Sequence, residues 1–237
     1  MQLMKQKIII ITGASSGIGK ACAQAFSAVG YHCLLLARRL ELMQALDLPH
    51  AICKSVDVTD AKAVKEVVDS IDLEKYNIDC LINNAGSVLA GHYSDTDGAA
   101  ENAMVDLNIK GVLNCTKMVA PLMQKNKQGT IINVSTIGDR QFAVGVAAVY
   151  CATKAAIKQF TQSLHMTYKD DNIRCCTIAP GDVDTPIWEG KELPDFRKNP
   201  TPALQPEAVA KAILWAYQQP QDICVRDLVL TTTQSSA

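Results

Sequence analysis

The sequence lacks an excess of charge of either sign. Its 23 lysines and arginines nearly balance its 24 aspartates and glutamates, so that the net charge is −1. Proteins that bind nucleic acid or anionic membranes usually carry a basic patch or stripe, and here the two signs are dispersed. We therefore expect small molecules or copies of the same chain as partners, and neither nucleic acid nor a membrane.

A long hydrophobic run is also missing. The apolar run from Ile8 to Ile11 is too short for the core of a signal peptide and far too short to span a bilayer. No repeat, low-complexity tract or linker interrupts the chain. Its 237 residues, 48% of them hydrophobic, suit one domain over 1–237 that buries a substantial core. These features predict a soluble, cytoplasmic protein.

The nine cysteines have neither the spacing of metal ligands nor a paired framework. We expect small core residues in a reducing compartment, and no metal site. Cys151 lies between Tyr150 and Lys154 and is the one candidate for a reactive thiol. We interpret Cys151 as a small packing residue, because a catalytic cysteine needs a base and no motif pairs a histidine with Cys151.

Short β-rich runs alternate with helical stretches from end to end, a pattern that predicts a parallel sheet covered on both faces. The predicted strands are 7–12, 31–37, 51–55, 78–83, 129–135, 173–179 and 223–230. The predicted helices are 17–29, 40–46, 60–72, 99–124, 149–169 and 206–218. The fold class is thus α/β, with a doubly wound sheet of about seven strands. A proline-rich segment follows residue 179, and we interpret about 186–205 as a substrate loop.

A glycine-rich loop follows the first strand and opens a helix. Its sequence is Thr12-Gly13-Ala14-Ser15-Ser16-Gly17-Ile18-Gly19. Glycines let backbone N–H groups approach a pyrophosphate, and the helix N-terminus adds favourable partial charge. The spacing departs from Gly-x-Gly-x-x-Gly, and a tight turn is the plain alternative, yet the position favours dinucleotide binding.

The end of the second strand indicates which dinucleotide binds. An acidic residue there would hold the ribose 2′-hydroxyl of NAD, whereas arginine accommodates the 2′-phosphate of NADP. This chain has Ala37 at the acidic position, followed by Arg38 and Arg39. The pair could be solvated arginines at a helix start, but the combination favours NADP(H), with NAD(H) as the other possibility.

The most informative pair for the chemistry is Tyr150 and Lys154. An i, i+4 spacing puts both side chains on one helix face, where an ammonium can favour the ionised form of a phenol. A free phenol, with a pKa of about 10, releases its proton too reluctantly at neutral pH. Alone the spacing is ambiguous, since a surface tyrosine packed on a lysine stem has the same pattern.

Together these motifs resemble those of the short-chain dehydrogenase/reductase family from the first strand to near the C-terminus. The matching elements are the loop Thr12-Gly13-x-x-x-Gly17-Ile18-Gly19, the run Asn83-Asn84-Ala85-Gly86, Asn108 with Gly111, the pair Tyr150 and Lys154, and Pro180-Gly181-Asp182-Val183-Asp184-Thr185. The resemblance implies the strand order 3-2-1-4-5-6-7 and a cofactor lying across the carboxyl ends of the strands.

The resemblance also implies roles for individual residues. Tyr150 would exchange a proton with a carbonyl or alcohol oxygen as hydride moves to or from the nicotinamide. Lys154 would stabilise the phenolate and hold the ribose, and Asn108 would hold a water that links Lys154 to solvent. The further cofactor contacts would be Asp57, Val58, Asn84, Ala85, Gly86, Pro180, Gly181, Val183 and Thr185. Plain alternatives are a helix N-cap for Asp57 and a turn former for Asn84.

The hydroxyl that would polarise the substrate carbonyl is where the chain departs from the family pattern. Members usually have two consecutive serines after the fifth strand, of which the second is catalytic, and this chain has Ser135 and Thr136. Threonine offers the same donor and acceptor as serine. A slipped loop could instead present Ser135, so both are candidates.

The substrate pocket is expected to be mainly apolar and bounded by Val88, Leu89, His92, Phe142, Val144 and Trp188. Asp139, Arg140 and Gln141 could admit a polar or carboxylated substrate or could face water, and His92 is expected to be a solvated loop residue. Since many family members pair the helices 99–124 and 149–169, we expect a homodimer or homotetramer. The rival hypothesis is a non-catalytic NADP(H) sensor on the same fold.

Overall fold

A seven-stranded parallel sheet of order β3-β2-β1-β4-β5-β6-β7 lies at the centre of the structure, which confirms the predicted fold class and strand order. The computed structural model describes residues 5–140, 148–189 and 202–234. The strands are β1 (Gln6–Thr12), β2 (His32–Ala37), β3 (Ala51–Ser55), β4 (Tyr76–Asn83), β5 (Gly129–Val134), β6 (Ile173–Pro180) and β7 (Asp227–Leu230). The helices are α1 (Gly17–Ala28), α2 (Leu40–Gln44), α3 (Ala61–Asp69), α4 (Gly98–Val105), α5 (Gly111–Asn126), α6 (Ala148–Tyr168) and α7 (Pro206–Gln218).

Two hydrophobic cores cover the two faces of the sheet. Successive side chains of a strand point to opposite faces, so Ile9 and Ile11 of β1 pack with α1, α2 and α7. Ile8 and Ile10 pack with α3, α5 and α6. All four are at most 1% exposed, and this is why the central strands read as unbroken apolar runs rather than as alternating ones.

Two predicted elements differ from the observed ones. The single helix predicted over 99–124 is α4 followed by a π-helix, Asp106–Lys110, which leads into α5. A strand was predicted over 223–230, but β7 begins at Asp227. A turn closed by a hydrogen bond from Ile223 N to Pro220 O occupies the residues before it.

The carboxyl ends of all seven strands lie at one edge of the sheet because the strands are parallel. β1 lies between β2 and β4, so the chain crosses from the outer strand β3 back to β4 on the other side of β1. Such a reversal of strand order opens a crevice for ligands. No helix within the described ranges is long and apolar enough to cross a membrane. Among those same residues, no group of three potential ligands could hold a metal ion.

Candidate active site

The glycine loop after β1 is held in a conformation that requires glycine at two of its positions. Gly13 has a φ of +66°, which side chains rarely tolerate. A Cβ on Gly19 would lie 2.3 Å from the carbonyl oxygen of Gly13, so α1 can approach the loop only because Gly19 has no side chain. The loop therefore brings bare backbone to the start of a helix, as phosphate binding needs.

Hydrogen bonds fasten this loop to the end of β4. The Thr12 hydroxyl accepts from the backbone N–H groups of Asn84 and Ala85, both at 3.0 Å. The side-chain amide of Asn84 donates to the Thr12 carbonyl at 3.0 Å. Sequence analysis assigned no role to Thr12; the available signal was a hydroxyl at the last position of a buried strand.

Arg39 reaches the glycine loop from the end of β2. Its Nη2 donates to the hydroxyls of Ser15, at 3.1 Å, and Ser16, at 3.0 Å. The Ser16 side chain makes no cap hydrogen bond at the start of α1. A guanidinium and two hydroxyls thus converge at the N-terminus of a helix, and all of them can hydrogen-bond phosphate oxygens.

Asp57, beyond β3, forms a local turn. Its Oδ1 accepts from the N–H of Thr59 at 2.9 Å and from the Thr59 hydroxyl at 2.8 Å. Burial acts to raise the pKa of Asp57, but these hydrogen bonds and the charge of Arg38 outweigh it, so that the pKa is lowered. The N-cap alternative for Asp57 is wrong, because Asp60 caps α3. Val58 beside it is buried.

Tyr150 and Lys154 lie on one face of α6, beside the end of β5. The Nζ of Lys154 is 5.9 Å from the centre of the Tyr150 ring and donates to the carbonyl of Val134 at 2.9 Å. Lys154 is only 6% exposed. Burial lowers its pKa to about 8, although the charge of Asp139 acts to raise it. The ammonium is therefore held in a site that disfavours its charge.

The pKa of Tyr150 differs from the expectation. The sequence predicts that Lys154 lowers it, whereas in the structure it is raised, first by burial and then by Cys151, with a smaller contribution from Asp139. Among the described residues, a hydrogen bond with Thr136 acts in the opposite direction and lowers it. The Lys154 ammonium donates to the Val134 carbonyl and is not among the groups that shift the pKa of Tyr150. With a raised pKa, the phenol is protonated at neutral pH.

The two candidate hydroxyls point to different partners. The Thr136 hydroxyl interacts with the phenol of Tyr150. The buried Ser135 hydroxyl instead donates to Oδ2 of Asp139 at 2.7 Å and approaches the carbonyl of Lys154 at 3.3 Å. Thr136 is thus the hydroxyl that acts on the phenol, while the Ser135 hydroxyl is engaged by Asp139.

A buried ion network supports the loop after β5. The Asp139 side chain is fully buried and accepts from Nε of Arg140 at 2.5 Å. Arg140 also forms a bidentate pair with Asp227 of β7, at 2.7 and 3.0 Å. Lys158 of α6 lies 3.7 Å from Asp139 and 3.8 Å from Asp227. Asp139 is therefore buried and paired, and Arg140, although partly exposed, is engaged by Asp139 and Asp227. Gln141 lies outside the described residues.

Cys151 has the features of a small packing residue rather than of a reactive thiol. It is half-buried, and a Cβ on Gly138 would come within 2.8 Å of its sulfur. Burial, followed by the charge of Asp139, raises the pKa of this thiol. A thiol that resists ionisation is a poor nucleophile, which agrees with the interpretation from the sequence.

Asn108 lies in the π-helix between α4 and α5 and is fully buried. Its Oδ1 accepts from the N–H of Ser87 at 2.9 Å, and its Nδ2 donates to the Ser87 carbonyl at 3.0 Å and to the Thr153 hydroxyl at 3.1 Å. The amide thus locks the segment after β4 against α6. A Cβ on Gly86 would approach Asn108 Oδ1 at 3.1 Å and Lys154 Nζ at 3.5 Å. Sequence reasoning did not single out Thr153, and nothing in its spacing would have done so.

Two buried amides near the site, Asn83 and Asn133, were given no individual role by the sequence motifs. The Nδ2 of Asn83, at the end of β4, donates to Oδ1 of Asn133 in β5 at 2.8 Å and to the Thr116 hydroxyl at 3.1 Å. Asn133 in turn donates to the Thr161 hydroxyl at 2.8 Å. These bonds tie the two strands to α5 and α6. The sequence signal for these contacts was a polar asparagine within each otherwise apolar run of strand residues.

The segment after β6 closes the other side of the crevice. Gly181 N donates to the carbonyl of Leu230 at 2.7 Å, and Val183 forms a parallel bridge with Leu204. The side chain of Thr185 lies 3.1 Å from the position of a Cβ on Gly17. The two ends of the predicted substrate loop are thus held together, and residues 190–201 of that loop lie outside the described residues.

A cleft opens beside Tyr150. It is lined by Leu89, Gly91, Tyr93, Thr96, Glu101, Met104, Ala148, Val149 and Tyr150. Of the residues expected to form the pocket, Leu89 lines the cleft. Val88, the residue before it, is buried and is not part of the lining. Phe142 and Val144 lie outside the described residues. His92 is exposed, with Nδ1 2.7 Å from the Ser94 hydroxyl. The lining is mixed rather than mainly apolar: Tyr93, Thr96 and the carboxylate of Glu101 join its apolar residues, and no sequence pattern had pointed to Glu101.

The chain is similar to known oxidoreductases over nearly its whole length. The family model described as short chain dehydrogenase matches residues 7–194. An uncharacterized oxidoreductase of Staphylococcus epidermidis is 33% identical, over 97% of this chain and 99% of its own length. An NADP-dependent 3-hydroxy acid dehydrogenase of Schizosaccharomyces pombe is 34% identical, over 100% and 97%. A solved structure of the closed form of serine dehydrogenase complexed with NADP+ superposes with a TM-score of 0.89 at 30% identity, covering 97% of each chain.

The family model spans most of the chain, and the relatives match almost its whole length. The resemblance inferred from the motifs is therefore confirmed: the chain belongs to the short chain dehydrogenase family of oxidoreductases.

Proposed function

We propose that this protein is an NADP(H)-dependent oxidoreductase that interconverts a carbonyl and a secondary alcohol, with Tyr150 as the acid and base. The observation that carries the proposal is the convergence of three side chains at the end of β5. There the Tyr150 phenol contacts the Thr136 hydroxyl, and the Lys154 ammonium lies 5.9 Å from the phenol ring. A proton donor, a second hydroxyl and a cation in one crevice suit reduction of a carbonyl.

The residues along the crevice fit a dinucleotide. The bare backbone around Gly13 and Gly19 and the start of α1 would hold the pyrophosphate. The residues assigned to the remaining contacts are Ser15, Ser16, Gly17, Ile18, Arg38, Asp57, Val58, Asn84, Ala85, Gly86, Pro180, Gly181, Val183 and Thr185. A bound nicotinamide would supply the hydride chemistry, while the protein supplies orientation and charge.

Arg39 supports a preference for NADP(H) over NAD(H). Its guanidinium is already beside the Ser15 and Ser16 hydroxyls, and these three groups together would hydrogen-bond a 2′-phosphate. The position that would carry an acid for the 2′-hydroxyl is Ala37, which is buried. The second arginine, Arg38, acts on Asp57, so that Arg39 is the main phosphate contact in this proposal.

Tyr150 supplies the proton to the substrate oxygen in the reductive direction. A phenol is protonated at neutral pH, so Tyr150 holds the proton that it would transfer, and the raised pKa means that release of this proton depends on a stabilising cation nearby. Thr136 donates a hydrogen bond to the same substrate oxygen, because its hydroxyl is the one beside the phenol. Ser135 positions this loop through Asp139 and does not touch the substrate.

Lys154 compensates the negative charge that develops on Tyr150 when the proton leaves. This works only while Lys154 is protonated, and its pKa of about 8 sets the upper limit of that range. The Asn108 amide holds Ser87 and Thr153 and so fixes the turn of α6 that carries both Tyr150 and Lys154. In this proposal Asn108 is a positioning residue, and both hydrogens of its amide are donated to protein groups.

The test is oxidation of NADPH and NADH against a panel of ketones, aldehydes and 3-oxo acids. We expect turnover of at least one carbonyl, with NADPH as the better donor. Tyr150→Phe should reduce kcat by about 10²–10⁴-fold and leave the dissociation constant of NADPH within about threefold. Tyr168→Phe, on the same helix but away from the cleft, is the matched control and should keep full activity.

Two outcomes would contradict the proposal. Full activity in Tyr150→Phe would remove the tyrosine from the chemistry. Tight NADPH binding without turnover of any carbonyl would instead support the non-catalytic sensor.

We also propose that the chain forms a homodimer or homotetramer through α5 and α6. Leu113 of α5 is 39% exposed and Met166 of α6 is 61% exposed, and exposed apolar side chains on adjacent helices suit a subunit contact. A sedimentation measurement that finds only monomers at micromolar concentration would contradict this.

A further inference from the structure

The chemical class of the substrate is indicated by a carboxylate in the cleft beside Tyr150. Glu101, in the first turn of α4, lines this cleft together with Leu89, Met104 and Tyr150. Its side chain is partly buried. Glu101 is the one charged side chain among the described residues that line this cleft, and a partly buried charge influences which substrate charges are accepted because water screens it only in part.

Glu101 is held in place by one neighbour. The Thr96 hydroxyl donates to its Oε1 at 2.5 Å, and Thr96 in turn lines the same cleft. Within the described residues, no lysine, arginine or histidine lies within ion-pair distance of Glu101. Among the described residues, the Glu101 carboxylate is thus held by a hydrogen bond from Thr96 and has no cation beside it that would neutralise its charge.

The basic groups near the site are engaged elsewhere. Arg140 is the residue that a carboxylated substrate would otherwise use, and its guanidinium is taken by Asp139 and Asp227. Lys158 lies next to the same two carboxylates. Lys154 donates to Val134 beneath the cleft. A substrate carboxylate near Glu101 would thus meet repulsion without compensation from these groups.

We propose that Glu101 makes the protein selective for carbonyl or alcohol substrates that carry an ammonium group within a few bonds of the reacting carbon, and that it rejects simple oxo and hydroxy acids. This rests on the proposed function, because it places the reacting carbon at Tyr150. The ammonium would pair with Glu101, whereas a carboxylate in the same place would bring two like charges together. The chain would then differ in specificity from a relative that acts on 3-hydroxy acids.

Three ketones of similar size and different charge test this directly. They are 4-aminobutan-2-one, pentan-2-one and 3-oxobutanoate, which are cationic, neutral and anionic. Each is reduced with NADPH by the full chain and by Glu101→Gln, which keeps an oxygen for the Thr96 hydrogen bond. Asp95→Asn is the matched control, because Asp95 is an exposed acid close to the cleft that does not line it.

In the wild type we expect kcat/KM to fall in the order cationic, neutral, anionic. In Glu101→Gln the ratio of cationic to anionic kcat/KM should fall by about tenfold, as expected for one charge a few ångströms away in partly screened surroundings. The value for pentan-2-one should change by less than about threefold. Asp95→Asn should leave the ratio unchanged.

An unchanged ratio in Glu101→Gln, with pentan-2-one still reduced, would overturn the role of Glu101 and leave the proposed reaction intact. An equal change of the ratio in Asp95→Asn would also overturn it, since the effect would then belong to the overall charge. Absence of turnover of all three ketones by the wild type would count against both the selectivity and the proposed reaction.

Discussion

Replacing Lys154 by methionine should abolish activity and at the same time stabilise the fold at neutral pH. Lys154 is 6% exposed, and burial lowers its pKa from 10.5 to about 8. A shift of this size means that the charged lysine costs the folded state about 3 kcal/mol below pH 8. Methionine has nearly the same shape and no charge, so it removes this cost.

The substitution also removes a favourable contact. The Nζ of Lys154 donates to the Val134 carbonyl, and leaving that buried carbonyl without its partner costs about 1–2 kcal/mol. The net gain in the free energy of unfolding at pH 7 is therefore about 1–2 kcal/mol. The cation that we propose to act in catalysis would thus be kept at the expense of stability, as is common in active sites.

The pH dependence separates this cause from a change in packing. Between pH 8 and 10.5 the unfolded state holds a proton on Lys154 that the folded state has lost, so the wild type gains stability as pH rises through that window. The methionine variant has no such group. The excess of its free energy of unfolding over that of the wild type should therefore be largest below pH 8 and should decrease by about 2 kcal/mol by about pH 9.5.

Urea unfolding of both proteins at pH 7 and about 9.5, followed by circular dichroism, measures this difference. Lys62→Met is the control, because the Lys62 side chain is 87% exposed and its loss should give no comparable pH-dependent difference. A difference between Lys154→Met and the wild type that is the same at both pH values would refute the reasoning. So would a variant that is less stable than the wild type at pH 7 by more than the lost hydrogen bond.

Three further predictions concern the remaining parts of the site. Thr136→Ala should lower kcat for carbonyl reduction by about 10²-fold or more, whereas Ser135→Ala should chiefly lower the free energy of unfolding, by about 1–3 kcal/mol. Steady-state kinetics and urea unfolding measure the two effects. If the Ser135 hydroxyl binds the substrate, the larger loss of kcat will instead be found in Ser135→Ala. Arg39→Ala should raise the KM of NADPH by about tenfold or more and leave that of NADH nearly unchanged, with a smaller effect from Arg38→Ala, and an equal loss for both cofactors would remove Arg39 from phosphate recognition. Gly19→Ala should weaken binding of both cofactors and lower Tm, because its Cβ would lie 2.3 Å from the Gly13 carbonyl oxygen; a variant that binds and melts like the wild type would show that the loop can move aside.

Local patterns predicted the elements that depend on local physics. The helix predicted over 206–218 is observed as α7 with the same bounds, and the strand predicted over 51–55 is β3. The π-helix around Asn108 was missed because the residues of α4 and α5 continue a helical pattern. Its extra residue is stabilised by bonds from Asn108 to Ser87 and Thr153, which are distant in sequence.

The sequence by itself determined the order of strands and helices, the glycine loop and the pairing of Tyr150 with Lys154 on one helix face. These follow from periodicity, from backbone freedom at glycine and from helical pitch, all of which act over a few residues. The tertiary structure alone decided that Thr136 rather than Ser135 faces the phenol and that burial raises the pKa of Tyr150. It also decided that Arg140 forms an ion pair with Asp227 and that Glu101 lines the cleft. Those outcomes depend on which side chains meet across the sheet edge and on how much water they exclude, and no local pattern encodes either.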